Sequence, residues 1–198
     1  MPSLNDLKRE VNCKIVYYGP GLSGKTTNLQ FIHSQLDPAI RGNLVSMPTQ
    51  TDRTLFFDLL PVDVTTVNGW NIRLAIYTVP GQVEYNASRQ LILKGADAIV
   101  FVADSDAARA ADNIESRQNL VDNLSTYRMS LSDMPFVLQY NKRDLPTAMS
   151  IERMEAELNT SNVSSFESIA CEGPGVLATM REVTKVLYAR LSSLVARY

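Results

Sequence analysis

The chain has 198 residues, 45% hydrophobic and 20% charged, with a formal net charge of −2, the composition of an ordinary globular protein rather than a disordered or membrane-spanning one. The weak negative balance argues against nucleic acid as the main partner, because neutralising a phosphate backbone takes a basic surface. Cys13 and Cys171 are too few for a disulfide framework and fit a reducing compartment.

The length predicts one domain over 1–198. The first ten residues carry charge with no apolar run behind it, which speaks against a secretory signal, and no later stretch reaches membrane-spanning length. Pro2 and the Ala-Arg-Tyr ending offer neither N-myristoylation nor prenylation. The expectation is a cytoplasmic chain without a direct membrane anchor.

Residues 12–18 read as the first strand, and Gly24 to Leu36 as a helix with Leu29, Ile32 and Leu36 on one face. From Asp37 to Arg53 there is no sustained period, and the stretch reads as a long loop of the kind that carries function. Residues 54–66 and 70–79 are two strands joined by Val67-Asn68-Gly69-Trp70, a strong hairpin signal, so one strand runs antiparallel. Ala98 to Val102 and Phe136 to Tyr140 are continuous apolar runs suited to central strands buried on both faces. Between them Ile114, Val121 and Leu124 mark a helical stripe. Leu177, Met180, Val183, Leu187, Leu191 and Leu194 mark a last helix, with Lys185, Arg190 and Arg197 toward its C-terminal end, where the helix dipole favours cations. The alternation predicts an α/β fold: a mostly parallel six-stranded sheet with one antiparallel strand and helices on both faces.

Gly19-Pro20-Gly21-Leu22-Ser23-Gly24-Lys25-Thr26 matches G-x-x-x-x-G-K-[ST] between a strand and a helix, the context the P-loop motif requires. Its glycines let successive N–H groups turn inward at the positive end of the helix dipole. Gly19, Gly21, Leu22, Ser23, Gly24, Lys25, Thr26 and Thr27 are therefore the expected phosphate contacts. Lys25 supplies charge to the β- and γ-phosphates and Thr26 a hydroxyl for magnesium. The bland alternative is a glycine-rich turn capping a helix.

Asn141-Lys142-Arg143-Asp144 follows an apolar strand at its carboxyl end, where open α/β sheets bind ligands. A carboxylate at Asp144 can accept from guanine N1–H and its 2-amino group together, whereas adenine presents an acceptor at N1. Leaving that contact unpaired costs on the order of 1–3 kcal/mol, enough to choose the base. Ile169-Ala170-Cys171-Glu172-Gly173 supplies a third element, with Ala170 N–H as a donor for guanine O6 and Cys171 beside it.

These motifs, with Thr78-Val79-Pro80-Gly81-Gln82 between them, stand in the order of the Ras-like small GTPases. Through Lys-Ile-Val-Tyr-Tyr before the loop, Arg-Thr-Leu-Phe-Phe-Asp and Tyr-Asn-Ala-Ser-Arg, the chain resembles the MglA type of that superfamily over nearly its whole length. The resemblance implies a GTP/GDP switch with Mg2+, in which Thr54 closes on the metal. It implies that Gly81 N–H meets the γ-phosphate, Gln82 orients the attacking water and Arg53 supplies a catalytic cation in cis. It further implies an MglB-like roadblock-domain homodimer as activating protein, polarity or motility effectors for the GTP state, and recruitment to a cell pole.

One departure is Thr78, which stands where the superfamily usually has an aspartate over a magnesium-bound water. The expectation is slow intrinsic turnover, or at the limit a GTP-binding scaffold. A kinase or ATPase is the other alternative, but no lid basic residues or acceptor site are evident. His33 and the two cysteines read as ordinary residues; Trp70, Phe56 and Phe57 read as core or a partner surface.

Overall fold

The computed structural model describes residues 3–5, 9–48, 54–67 and 69–195. In chain order the elements are β1 (Ser3–Asn5), β2 (Glu10–Tyr18), α1 (Lys25–Gln35), β3 (Val45–Pro48), β4 (Thr54–Val67), β5 (Trp70–Thr78), α2 (Asn86–Leu93), β6 (Ala98–Asp104), α3 (Ala110–Ser125), β7 (Phe136–Asn141), α4 (Ile151–Leu158), β8 (Ser165–Ser168) and α5 (Val176–Val195). The sheet runs β3-β4-β5-β2-β6-β7-β8, with β1 added antiparallel to the start of β2. Strands β5, β2, β6, β7 and β8 are parallel to one another.

Each face of the sheet carries its own core. Ile15 and Tyr17 of β2 face Leu29 and Ile32 of α1 and Val183, Leu187 and Leu191 of α5. Val16 and Tyr18 point the other way, toward Leu93 of α2, Leu120 and Leu124 of α3 and Met154 of α4. Burying each such aliphatic side chain contributes roughly 1.5–3 kcal/mol, and this fixes α1 against the sheet. The order reverses at β2, so the crevice beyond its carboxyl end is the place where such sheets take ligands.

The sheet is wider than the expected six strands, because β1 and β3 join it. Strand β3 lies inside the stretch Asp37 to Arg53 expected as loop. It is a short edge strand with a register shift between Ser46 and Pro48, and Pro48 ends it; such a strand shows no alternation to read. The antiparallel members are likewise more than one: β4 runs against both β3 and β5, and β1 against β2.

The face of α3 also differs from the apolar stripe. Ile114 and Val121 are exposed, and the buried positions are Asn113, Leu120, Asn123 and Leu124. The asparagines turn inward because they have polar work there. Asn113 exchanges hydrogen bonds with the backbone of Asp104 at 2.9 and 2.7 Å, and Asn123 donates to Tyr18 Oη at 3.1 Å and Asn86 Oδ1 at 2.9 Å. Trp70 and Phe57 pack against the core. The side chains of Phe56 and Leu194 and the whole of Arg197 lie outside the described residues. No helix is long and apolar enough to cross a membrane among the described residues.

Candidate functional site

The loop 19–24 opens directly from β2 onto the N-terminus of α1. Gly24, the residue before that helix, has φ +96°, and a Cβ on it would fall 2.2 Å from Asn141 Nδ2, so both backbone and space require glycine. The first turn, Lys25-Thr26-Thr27-Asn28, carries no acidic side chain to compete for the helix's free N–H groups. Lys25 is buried, with Nζ donating to Gly19 O at 3.0 Å and Pro20 O at 2.6 Å. Burial, reinforced by the Arg89 guanidinium and opposed by Asp58, pushes its ammonium down to about 7. A cation held this way gains by meeting an anion.

Beside it stands a carboxylate that motif reading passed over. Asp58, fully buried on β4, accepts from Thr26 Oγ1 at 2.6 Å and Thr78 Oγ1 at 2.8 Å through one oxygen, and from Ser46 Oγ at 2.7 Å through the other. Register explains the meeting. The β4/β5 ladder slips by one residue between Asp63 and Thr65, which brings Leu59 opposite Tyr77 and Asp58 level with Thr78. The signal available in the sequence was a lone carboxylate within the apolar run Leu-Phe-Phe-Asp-Leu-Leu, where a charge is rarely buried without a purpose.

Thr78 is paired with Tyr17, so the segment that follows it lies beside the loop that follows Tyr18. Gly81 packs so closely there that a Cβ on it would sit 2.4 Å from Gly21 N and 2.5 Å from Pro20 C. Gly21 has more room, with Gly81 and Gln82 atoms at 3.7–3.9 Å from its own Cβ position. Arg89 of α2 fastens this segment: it is buried, and its Nη1 donates to Pro80 O at 3.3 Å and Gln82 O at 2.5 Å while Nε donates to Asn119 Oδ1 at 2.9 Å. An open cleft of about 980 Å³ runs along these parts, with Lys25, Thr26, Thr27, Thr78, Gly81 and Gln82 in its wall.

The base-side residues gather on the other side of Gly24. Asn141 Nδ2 donates to Ser23 O at 2.8 Å, and its Oδ1 accepts from Ala170 N at 2.9 Å and Ser168 Oγ at 3.1 Å. The Ala170 N–H expected at guanine O6 thus meets Asn141 here, and the asparagine ties together the phosphate loop, β7 and the segment after β8. Lys142, with φ +66°, pairs through Nζ with Asp104 at 2.6 Å. Asp104 ends β6 and is only 1% exposed, a second carboxylate that the motifs left unmentioned. Asp144 and Cys171 are exposed on the surface. Arg53 lies outside the described residues, as does the side chain of Thr54, whose backbone begins β4.

The hydroxyls of Thr26 and Thr78 and the Asp58 carboxylate form an all-oxygen donor set, which suits a hard divalent cation such as Mg2+. With a glycine-bounded loop at the N-terminus of α1, a buried lysine in the first turn of that helix and an asparagine at the end of β7 tied to the loop, the crevice suits a phosphorylated ligand.

Comparison with known proteins gives this arrangement a lineage. The ADP-ribosylation factor family matches the chain over residues 2–192. The mutual gliding-motility protein MglA of Myxococcus xanthus (strain DK1622) is 50% identical over 191 residues, spanning 96% of this chain and 98% of that protein.

Proposed function

Since the chain belongs to the ADP-ribosylation factor family of Ras-like small GTPases, we propose that it is a GTP-binding switch that hydrolyses GTP to GDP and phosphate. The likeness to a gliding-motility protein supports a role in bacterial motility, with control of cell polarity as the finer reading. The observation that carries the reading is the meeting of Lys25, Thr26, Thr78 and Asp58 beside a Gly81 packed on Gly21.

The phosphates of GTP take the inward N–H groups of the loop and replace the Gly19 and Pro20 carbonyls as partners of Lys25, whose charge they restore. Thr26, Thr78 and Asp58, with Thr54 as the family implies, would hold Mg2+. That cation, when bound, neutralises charge on the β- and γ-phosphate oxygens. Because the Gly81 backbone rests on Pro20 and Gly21 with no space for a side chain of its own, a γ-phosphoryl group entering beside it displaces the Pro80–Gln82 segment, and nucleotide state becomes backbone position. Gln82 on that segment orients the attacking water, and Arg53 stabilises charge in the transition state. Asp144 selects guanine, and Asn141 couples that choice to the phosphate loop.

A scaffold with negligible turnover is the alternative that the neutral Thr78 suggested. Asp58 weakens it, because a carboxylate stands within hydrogen-bond reach of the same hydroxyl. An MglB-like roadblock-domain homodimer is the expected activating protein at the segments around Arg53 and Gln82. Effectors of polarity or motility would bind the GTP form, with recruitment from the cytoplasm to a pole.

Phosphate release under single-turnover conditions, with and without the activating protein, tests the reading. Arg53→Ala should bind GTP as the parent does and lose stimulated hydrolysis, by a factor on the order of 10³ or more. A stimulated rate equal to the parent's would remove Arg53 from the reaction.

A further inference from the structure

Arg109 closes the short 3-10 turn Ala107–Arg109 ahead of α3 and reaches across to the phosphate loop. Its Nη2 donates to Gly21 O at 2.9 Å, while Nη1 pairs with Asp112 at 2.5 Å on its own helix. The guanidinium is therefore braced from one side and bonded to the loop on the other. No motif singles it out.

The residue after Gly21 is the unusual one. Leu22 has φ +65°, a left-handed conformation that L side chains with a Cβ avoid and that glycine adopts freely. It is also 86% exposed, so no packing of its own side chain holds it there. The restraint comes through the backbone: Ser23 N–H closes a turn on Pro20 O at 3.4 Å, a long bond, and Arg109 holds the Gly21 carbonyl within that turn at 2.9 Å. A peptide unit is planar and trans, so a Gly21 C=O held by Arg109 points the Leu22 N–H the opposite way, away from the guanidinium. A bond from an ionised donor is stronger than a neutral one and polarises the peptide it holds.

We propose that Arg109 is a positioning residue for the phosphate loop, holding Leu22 in its left-handed conformation by way of the Gly21 carbonyl so that the Leu22 N–H stays available to the nucleotide phosphates. The proposal rests on the nucleotide-binding reading above. Without Arg109, Leu22 relaxes toward negative φ, the Gly21–Leu22 peptide rotates and one phosphate donor turns away. Glycine at position 22 needs no such restraint, so Leu22→Gly compensates for the loss of Arg109. An arginine acting only as a distant positive charge would show no such compensation.

The test is the dissociation rate of a fluorescent GDP from the full chain with magnesium, for the parent, Arg109→Met, Leu22→Gly and the double variant. Arg109→Met should release GDP roughly tenfold faster. The double variant should return most of the way to the parent rate, a coupling that independent sites do not show. Arg109→Lys, which keeps charge without the fork, should fall between and carries the same comparison if Arg109→Met does not fold. Arg109→Met dissociating at the parent rate, or a double variant as fast as Arg109→Met, would overturn the proposal. A parent that retains no GDP would instead overturn the nucleotide reading itself.

Discussion

Thr78 Oγ1 donates to Asp58 Oδ2 at 2.8 Å, and Asp58 N–H donates back to Thr78 Oγ1 at 2.8 Å. The two residues face each other across β4 and β5, and the same carboxylate oxygen takes the Thr26 hydroxyl at 2.6 Å. A carboxylate from the neighbouring strand thus stands beside position 78. Its reach depends on the register slip in the hairpin, so this part of the site is a property of sheet geometry and not of a local motif.

Asp58→Asn should weaken both fold and metal affinity. An amide has one acceptor oxygen where the carboxylate serves three hydroxyls on two oxygens, so the bonds on one side are lost or must reverse, at about 1 kcal/mol. Thermal melting without metal should fall accordingly. A magnesium titration of the GTP complex should shift at least tenfold to higher concentration, given the loss of the only charged group among these donors. An unchanged magnesium midpoint would place the metal elsewhere.

Gly81→Ala separates binding from switching. Its methyl group would meet Gly21 and Pro20 backbone at 2.4–2.5 Å, so the Pro80–Gln82 segment cannot rest on the loop. GDP affinity should change little, while limited proteolysis of the segment should become insensitive to exchange of GDP for GTP. A cleavage pattern that still follows the nucleotide would show that this contact is not the switch.

Lys25 predicts a proton effect with a definite sign. Its folded value is lowered from 10.5 to about 7, so between those limits the unfolded chain binds the extra proton and nucleotide-free stability rises with pH. Below about 7 both states are charged and the slope vanishes. Phosphates bound to Lys25 raise its value again, so GDP binding at pH 8.5 should take up as much as about one proton. Calorimetry in buffers of different ionisation enthalpy measures this uptake, and Lys25→Met should abolish it.

Asp104→Asn should loosen the base side. Lys142 Nζ pairs with Asp104 at 2.6 Å and the Lys142 backbone is left-handed, so the carboxylate holds Lys142, the residue after Asn141, in a conformation it would not choose alone. GDP dissociation should quicken by about tenfold, with a larger loss for guanine than for triphosphate recognition in general. Equal losses for GTP and ATP would deny Asp104 a part in base selection.

Much of the fold was open to reading because its signals are local. The apolar runs of β6 and β7, the Asn68-Gly69 hairpin, and the loop between β2 and α1 each declare themselves within a few residues. What stayed hidden depends on partners far along the chain. β3 is held only by pairing with β4, and the inward face of α3 is set by hydrogen bonds from Asn113 and Asn123 to other elements, so apolar periodicity selected Ile114 and Val121 instead. Asp58, Asp104, Arg89 and Arg109 belong to the same class. Each gains its place from a contact made through folding, with 20 residues separating Asp58 from Thr78 and 88 separating Arg109 from Gly21.

Guanine selection by the carboxylate of Asp144, joined through Asn141 to a phosphate-gripping loop, is decided by a competition between GTP, GDP and ATP for the purified chain in magnesium. Both guanine nucleotides should bind roughly ten- to a hundredfold more tightly than ATP, as expected when a polar contact is left unpaired by the wrong base. ATP binding as tightly as GTP, or no binding of any of the three, would contradict it.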